Sequence, residues 1–317
     1  MATINYTVWI SIYINHGNNP SEVIIQYNDA GEAHSCGPML VNAEYFVAIN
    51  VTFKNSYNNI TSSLVPYKEV KVAPSIVLMV DKAWFYGCSF ISVQDTLTDF
   101  VGRHYFKNCY IEGAIDFIWG GGQSIYEKCV IYVKGMTRNE MVEGGAMLPG
   151  FITAQGRQSE QDTSGFVFKY CAIKGDGTAF LGRAYRGYSR VVFYATSMSN
   201  VIVPQGWDAW LNKGEEAAWE KNLSATDVDF LVNPKTFIDR DSWIVTLPYS
   251  LVSLYSPSSI QYAIHNLYFL RITLIGVLRK INCFILINVF KFLYKLNKCN
   301  LMYLTISILQ YGFYWFD

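Results

Sequence analysis

The chain contains the stretch Phe85-Tyr-Gly-Cys88-Ser-Phe90, followed 21 residues later by the similar stretch Phe106-Lys-Asn-Cys109-Tyr-Ile111. Each places an aromatic residue three positions before a small or sulfur-bearing residue and an apolar residue two positions after it. Further copies begin at Phe46, Tyr126, Phe168 and Phe193. The central residues of the six copies are separated by 39, 21, 20, 42 and 25 residues, so each long gap has room for a degenerate copy. A period near 21 is typical of stacked units that share a core, as in a solenoid.

The form of each copy predicts an all-β fold. The copies are short alternating apolar stretches bounded by Gly, Asn, Asp or Ser, and no long amphipathic helix interrupts them. One strand per turn, always in the same direction, predicts a right-handed parallel β-helix with like residues stacked in interior ladders. Cys88, Cys109, Cys129 and Cys171 would then form a column of buried thiols. Disulfides are the alternative, since stacked positions in successive turns come close enough to bridge.

Composition divides the 317-residue chain into two parts. A formal net charge of zero argues against a general nucleic-acid or membrane-surface binder. Residues 249–317 lack the repeat and carry six Lys or Arg against one acid, Asp317. We predict a β-helix domain over 1–248 and a hydrophobic tail over 249–317 that is not part of the fold and has no selected structure. A membrane anchor is the alternative, but Lys, Arg and His interrupt each apolar run of the tail.

Signals for secretion are mixed. The amino terminus shows no basic, apolar and small-residue pattern of a signal peptide. Four asparagines, Asn5, Asn50, Asn59 and Asn222, head N-x-Ser/Thr sequons, which modestly favour a secreted glycoprotein.

Two acidic residues stand one repeat apart, Asp95 in Gln94-Asp-Thr-Leu97 and Asp116 in Gly113-Ala-Ile-Asp-Phe-Ile-Trp-Gly120. Equivalent positions on successive parallel strands lie about 4.8 Å apart, which would place the two carboxyl groups side by side. Two carboxylates that close do not both ionise easily, so one pKa is expected to rise and the other to stay low. Such a pair separates a general acid from a nucleophile. The alternative is that each Asp merely ends a strand or caps a turn.

These motifs resemble the plant pectinesterases, also called pectin methylesterases. The resemblance spans about Val8 to Pro248. It is carried, in order and spacing, by Tyr86-Gly-Cys88-Ser-Phe90, Gln94-Asp-Thr-Leu97, Gly102-Arg-His-Tyr-Phe106, Gly113 to Gly120, Ile152-Thr-Ala-Gln-Gly-Arg157, Leu181-Gly-Arg183 and Gly206-Trp207. The fold it implies is again a right-handed parallel β-helix.

The resemblance implies a role for each matching position. Asp116 would be the nucleophile that attacks the methyl ester of a galacturonate unit, giving an acyl-enzyme. Asp95 would protonate the leaving methoxide and then activate water. Gln94 would donate to the developing oxyanion, and Arg183 would hold Asp116 ionised. The resemblance implies neither a metal nor an organic cofactor.

The substrate implied is pectin, as methyl-esterified homogalacturonan, in cell wall modification and pectin catabolism. Phe117, Tyr185 and Trp207 would stack on sugar rings, with core filling as the alternative, about equally favoured for Phe117. The family further implies secretion to the cell wall, a monomer, and a proteinaceous pectinesterase inhibitor as a possible partner. Neither nucleic acid nor a membrane is expected as a partner.

The chain departs from the family at three places. Val72 stands where the family has a second oxyanion glutamine, and losing one such donor costs about 2.7 to 4 kcal/mol of transition-state stabilisation. The segments near residues 15–23 and after Trp210 are shortened. A catalytically weakened or silent β-helix that binds pectin or a protein is therefore the second hypothesis. A polysaccharide lyase or hydrolase is a third, disfavoured by the acid pattern.

Two further residues invite a role in chemistry. His104 is expected at the surface or at a coil edge, because the chain's four histidines show no metal-ligand spacing. Arg157 is expected to support a turn slightly more than to contact substrate.

Overall fold

The structure, a computed structural model, describes residues 10–15, 20–58, 64–137, 147–210, 223–244 and 305–308. Within those ranges short strands dominate, and helices occur near the carboxyl end of the repeat region. No helix in the described part is long and apolar enough to cross a membrane.

The strands are, in chain order, β1 (Ile10–Asn15), β2 (Ile24–Tyr27), β3 (Leu40–Val41), β4 (Phe46–Ile49), β5 (Thr52–Asn55), β6 (Leu64–Pro66), β7 (Ile76–Met79), β8 (Ala83–Tyr86), β9 (Ser89–Ile91), β10 (Leu97–Val101), β11 (Arg103–Lys107), β12 (Tyr110–Gly113), β13 (Ile118–Gly120), β14 (Gln123–Glu127), β15 (Val130–Val133), β16 (Gly135–Thr137), β17 (Met147–Leu148), β18 (Gly150–Gln155), β19 (Gly165–Lys169), β20 (Ala172–Gly175), β21 (Ala179–Arg183), β22 (Val191–Tyr194), β23 (Ser197–Met198), β24 (Trp207–Asp208) and β25 (Thr305–Ile308). The helices are α1 (Ala225–Val232) and α2 (Pro234–Phe237), with 3-10 turns at Pro20–Glu22 and Tyr67–Glu69.

These strands form three long sheets that wind into the predicted right-handed parallel β-helix. The first sheet has the order β25-β1-β4-β8-β11-β14-β19-β22, the second β3-β7-β10-β13-β18-β21-β24, and the third β2-β5-β9-β12-β15-β20-β23. All neighbours in them are parallel except β25, which pairs antiparallel with β1. A small fourth sheet joins β6, β16 and β17. The expectation of one strand per turn is wrong: a complete coil contributes one strand to each long sheet, because the chain turns three corners per coil.

The register confirms four steps of the repeat and corrects the first copy. Phe106 pairs with both Phe85 and Tyr126, and the series continues through Phe168 to Phe193. In the first copy, however, Ala48 pairs with Phe85, two residues later than the sequence comparison placed it. Neither long gap adds a coil among the described strands, since β4 pairs directly with β8 and β14 directly with β19. The second gap instead holds the β16–β17 pair.

The aromatic residues of the repeat form a stacked column inside the helix. Ring centroids are 5.0 Å apart for Phe85 and Phe106, 4.6 Å for Phe106 and Tyr126, and 4.5 Å for Tyr126 and Phe168. All four side chains are buried. Offset aromatic stacking stabilises a core by about 0.5 to 1.5 kcal/mol per pair beyond the area it buries.

The cysteine column is confirmed as packed, free thiols rather than disulfides. Each thiol lies near the carbonyl oxygen of the preceding coil: Cys109 Sγ is 3.6 Å from Phe85 O, and Cys171 Sγ is 3.3 Å from Tyr126 O. Thr196 continues the column with a hydroxyl 3.4 Å from Phe168 O. Burial raises the pKa of the Cys109 thiol, which keeps it protonated.

The corner between the first and third sheets needs a left-handed residue in each coil. Asn50, Gly87, Asn108 and Lys128 occupy it with φ of 53°, 62°, 54° and 55°. The amide of Asn50 packs against Gly87, where a Cβ would lie 2.3 Å from the Asn50 Oδ1 atom. The sequon at Asn50 is thus part of a packed corner. The other three sequon asparagines lie outside the described residues.

A polar cluster lies at the core, and it corrects the expectation for His104. That ring is fully buried, not at the surface or a coil edge. Its Nδ1 is 2.5 Å from Asp99 Oδ1 and its Nε2 is 2.8 Å from Val80 O, so both ring nitrogens face acceptors. The Tyr126 hydroxyl donates to Asp99 Oδ2 at 2.6 Å. Buried polar groups are tolerated when every one is paired, as they are here.

A charged cluster fastens the segment after α2 to the first sheet. Arg103 donates through Nη2 to Asp81 at 2.6 Å and through Nη1 to Asp241 at 2.7 Å, and Lys82 lies 2.9 Å from Asp241. Beyond residue 244, the structure describes only β25. The rest of the predicted tail, 249–304 and 309–317, lies outside the described residues, as do most of the segments predicted to be shortened, so those expectations stay predictions.

We predict that His104→Ala lowers the free energy of unfolding by about 3 to 5 kcal/mol, because it removes one of the two side chains that pair with the buried Asp99 carboxyl group and leaves Asp99 Oδ1 without that partner. Urea denaturation followed by circular dichroism measures the change. His34→Ala is the matched control, since His34 forms an exposed pair with Glu32 and the loss should stay within about 1 kcal/mol. Equal losses in the two variants would contradict the role of the buried cluster.

Candidate active site

Asp95 and Asp116 occupy the same position in two successive coils. Asp95 precedes β10 and Asp116 precedes β13, each by two residues, and Leu97 pairs with Ile118. The adjacent bridge between Gln94 and Ile115 continues this register. Both aspartates have positive φ, 57° and 46°, a left-handed geometry that Asp adopts more readily than most residues. The predicted stacking of the two acids is therefore present in the structure.

Arg183 forms a two-point ion pair with Asp116. It lies at the end of β21, and its Nε donates to Asp116 Oδ1 at 2.8 Å while Nη2 donates to Oδ2 at 2.5 Å. The Asp116 side chain is 8% exposed and that of Arg183 18%. This bidentate geometry fixes the carboxylate plane as well as its charge.

Burial and charge separate the two acids. Burial raises the pKa of Asp95 well above its usual range, and the neighbouring Asp116 carboxylate adds to that rise while Arg183 opposes it. Burial also raises the pKa of Asp116, which the bidentate Arg183 pulls back down. The expectation that one pKa stays low is corrected, since both rise. The order remains: Asp95 is the acid that keeps its proton to higher pH.

Gln94 and Val72 lie beside this pair on neighbouring coils. Gln94 is half-buried next to Asp95. Val72 adjoins Ala73, whose N–H donates to Gln94 O at 3.3 Å. The carbonyl oxygen of Val72 accepts from Gly31 N–H at 3.1 Å. The Val72 side chain offers no donor, so Gln94 is the one glutamine at the two positions where the family resemblance implies two.

The three predicted sugar-stacking aromatics fall in different environments. Phe117 is fully buried, and Gly113 leaves the room for it, since a Cβ there would lie 2.2 Å from Phe117 Cβ. Its ring fills the core, so the expectation of substrate contact is corrected in favour of the alternative. Tyr185 and Trp207 are half-buried near the second sheet. Tyr185 packs edge-on to Trp119, with centroids 5.5 Å apart.

Sequence reasoning missed the residues that surround Arg183. Its guanidinium carbon lies 4.2 Å from the ring centre of Phe151 and 4.0 Å from that of Trp210. Asp208 pairs in register with Arg183. The negative charge of Asp208 raises the pKa of Asp116, because it disfavours a second negative charge nearby. Trp210 lies three residues after Trp207 of the Gly206-Trp207 motif, which was the one sequence signal for it. Spacing alone does not show that its ring faces Arg183.

Arg157 supports a turn, as the sequence slightly favoured. Its Nε donates to Asp162 O at 2.7 Å, and its Nη2 donates to Glu160 O at 2.5 Å. A third bond runs from Nη1 to Tyr188 O at 3.2 Å. Nothing in this arrangement turns the guanidinium toward the two aspartates.

The described residues contain no group of three or more His, Cys, Asp or Glu side chains placed to hold a metal ion. The site combines a carboxyl group paired with a cation, a neighbouring carboxyl whose pKa is raised well above its usual range, and the adjacent residue Gln94, whose side chain carries an amide. This set can carry out nucleophilic attack, proton transfer and oxyanion stabilisation.

Comparison with known sequences gives a consistent match. The family model described as Pectinesterase matches residues 7–219. The chain is 42% identical over 226 residues to "Probable pectinesterase 29" of Arabidopsis thaliana, covering 65% of this chain and 65% of that protein. It is 38% identical over 244 residues to "Probable pectinesterase 55" of the same plant, covering 71% and 72%. The chain thus spans just under two thirds of the first relative's length.

Solved structures agree in fold. A pectin methylesterase from carrot superposes with a TM-score of 0.61 at 24% identity, covering 74% of this chain and 79% of that one. A pectin methylesterase from Aspergillus niger gives 0.58 at 24% identity, covering 74% and 80%. At this identity the likeness supports the parallel β-helix fold.

We predict that Arg183→Met lowers the free energy of unfolding relative to wild type, and that the loss is larger at higher pH. The raised pKa values of Asp95 and Asp116 mean that the folded chain holds more protons than the unfolded one above about pH 4, so stability falls as pH rises through the folded values. Without Arg183 both pKa values rise further, and at high pH the loss should reach about 3 to 5 kcal/mol.

Urea unfolding of the wild type and of Arg183→Met, at about five pH values from about 4 to about 8, measures this difference in the free energy of unfolding. Arg186→Met is the control, because Arg186 is exposed beside Tyr185 and no described carboxylate pairs with it. A difference between wild type and Arg183→Met that stays constant with pH would contradict the electrostatic account.

Proposed function

Because the chain belongs to the pectinesterase family, we propose that it is a carboxylic-ester hydrolase that removes methyl groups from methyl-esterified homogalacturonan. The observation that carries this proposal is the bidentate Arg183–Asp116 pair one coil away from a second carboxyl with a raised pKa. A general structural role for the two acids would not require their burial together, which is costly.

In the first half of the reaction, Asp116 attacks the ester carbonyl carbon of a galacturonate unit. Arg183 keeps Asp116 ionised and directs a carboxylate oxygen toward the substrate. The carbonyl oxygen gains negative charge, which the Gln94 amide stabilises by donating a hydrogen bond. When the tetrahedral intermediate collapses, the C–O bond to the methoxy group breaks and Asp95 gives its proton to that oxygen, so methanol leaves.

In the second half, water hydrolyses the acyl-enzyme. Asp95, now ionised, takes a proton from water while the oxygen attacks the acyl carbon. The bond to Asp116 breaks, releasing the galacturonate carboxyl group and restoring both aspartates. The proton that leaves with methanol is replaced by one from water, so Asp95 serves first as acid and then as base.

The substrate and setting follow from the family rather than from the site alone. Tyr185 and Trp207 are half-buried and present aromatic faces on which the apolar faces of sugar rings could stack. We propose further that the protein acts as a monomer in the plant cell wall after secretion, and that a proteinaceous pectinesterase inhibitor binds it. These last proposals rest on the family resemblance.

A weakened or silent enzyme is the second candidate, and Val72 specifically favours it. One oxyanion donor fewer raises the barrier by about 2.7 to 4 kcal/mol, on the order of 10²- to 10³-fold in rate. Such a chain would still present its half-buried aromatics to pectin.

We predict that Asp116→Ala lowers the rate of methanol release from esterified pectin by about 10³-fold or more, because no nucleophile remains. Gas chromatography of methanol measures it. Asp176→Ala is the control, since Asp176 is exposed just after β20 and pairs with Lys134 rather than with either acid. Equal rates for wild type and Asp116→Ala would remove the hydrolase proposal and leave the binding one.

We predict that Val72→Gln raises kcat by about 10- to 10³-fold, because it restores an amide donor beside Gln94. Val72→Leu is the matched control, which changes the side chain without adding a donor and should leave the low rate unchanged. If the two variants have the same kcat, then residue 72 does not determine the activity.

A further inference from the structure

We propose that Trp210 is a positioning residue, which clamps the Arg183 guanidinium against Phe151 and so holds Asp116 in its reactive orientation. The proposal rests on the proposed function, since it concerns the same nucleophile. It assigns Trp210 a role distinct from stacking on sugar.

Two aromatic rings lie against the guanidinium. The Arg183 guanidinium carbon is 4.0 Å from the Trp210 ring centre and 4.2 Å from that of Phe151. The edge of the same group donates from Nε and Nη2 to Asp116. A planar cation held by contacts with two rings and by a bidentate edge has little freedom to rotate out of the bidentate geometry.

Trp210 is itself held in place by the chain around it. It follows β24 with φ of 48°, and its backbone N–H donates to Asp208 Oδ1 at 2.7 Å. A bond from an Asp side chain to the N–H two residues later is an Asx turn, which directs the chain back on itself. Asp208 pairs in register with Arg183. The turn starts at Asp208, beside Arg183, and brings the indole of Trp210 back onto Arg183.

The Phe151 ring is equally fixed. Phe151 lies on β18 and stacks on Phe180 of the next coil, with centroids 5.4 Å apart and planes 9° from parallel. The Trp210 ring also contacts Tyr185, at 5.9 Å. Both aromatic faces are thus anchored by neighbours other than Arg183.

The clamp has an electrostatic consequence. Aromatic faces keep water from the guanidinium, and a cation–π contact is stronger when desolvated. A drier, less mobile Arg183 attracts Asp116 more strongly and offsets the burial and the Asp208 charge, both of which favour a protonated Asp116. Loosening the clamp should therefore let Asp116 take up its proton at higher pH.

The test combines titration with kinetics. In Trp210→Leu, the carbon-13 NMR titration of the Asp116 carboxyl should move to higher pH, and kcat for methanol release should fall about tenfold with little change in KM. The Asp116 resonance is assigned by its loss in Asp116→Asn. Trp210→Phe keeps an aromatic face and should restore both readouts to near the wild-type values. Phe151→Leu, which removes the other ring in contact with the guanidinium, should act like Trp210→Leu.

Trp243→Phe is the control for a merely structural tryptophan, since Trp243 is buried after α2 and donates to Ile238 O. It should lower the melting temperature without moving the Asp116 titration. An unmoved titration in folded Trp210→Leu and Phe151→Leu, or a rise in KM alone, would overturn the clamp. If the Asp116 titration moves in Trp210→Leu but the wild-type protein releases no methanol, the clamp is supported and the proposed hydrolase activity is removed.

Discussion

The parallel register between successive coils is the constraint on which the other features depend. Leu97 pairs with Ile118, and Phe85, Phe106, Tyr126 and Phe168 pair in series. Because side chains alternate faces along a strand, a slip of one residue would exchange core and surface for a whole strand. The aromatic column makes such a slip costly, since each ring would leave its stacked neighbour.

That same register creates the site. Asp95 and Asp116 are neighbours only because their coils stack without offset. Arg183 reaches Asp116 from two strands farther along the second sheet, across β18. Stacking identical residues in a low-dielectric place is unfavourable when both are charged, and the guanidinium relieves this by stabilising one of the two charges. The difference between the two acids, on which their chemistry depends, thus arises from a single cation and what holds it.

The interior combines apolar ladders with one fully paired polar cluster. Thiols and a hydroxyl repeat at one corner, each directed at the carbonyl of the coil before, while His104, Asp99 and Tyr126 satisfy one another in the core. The thiol ladder depends on neighbouring coils presenting equivalent groups at the same height, whereas the polar cluster joins different groups on β10, β11 and β14. The core is therefore specific as well as apolar, and removal of one partner leaves a buried polar group unpaired.

The amino-acid sequence by itself determined the solenoid and the stacked acids, because a period near 21 repeats the same local environment and strand alternation has a fixed phase. It left packed thiols and disulfides as alternatives, and only the structure shows that the cysteines are free. It did not determine that a coil has three strands, since the motif marks only the corner between the first and third sheets. It misplaced the Phe46 copy by two residues, because the intervening insertion removes the period that sets the phase. The burial of His104 and Phe117, and the aromatic clamp on Arg183, were decided only by tertiary structure. Those contacts join residues on different strands, and side-chain direction at a coil corner depends on backbone angles that residue spacing does not encode.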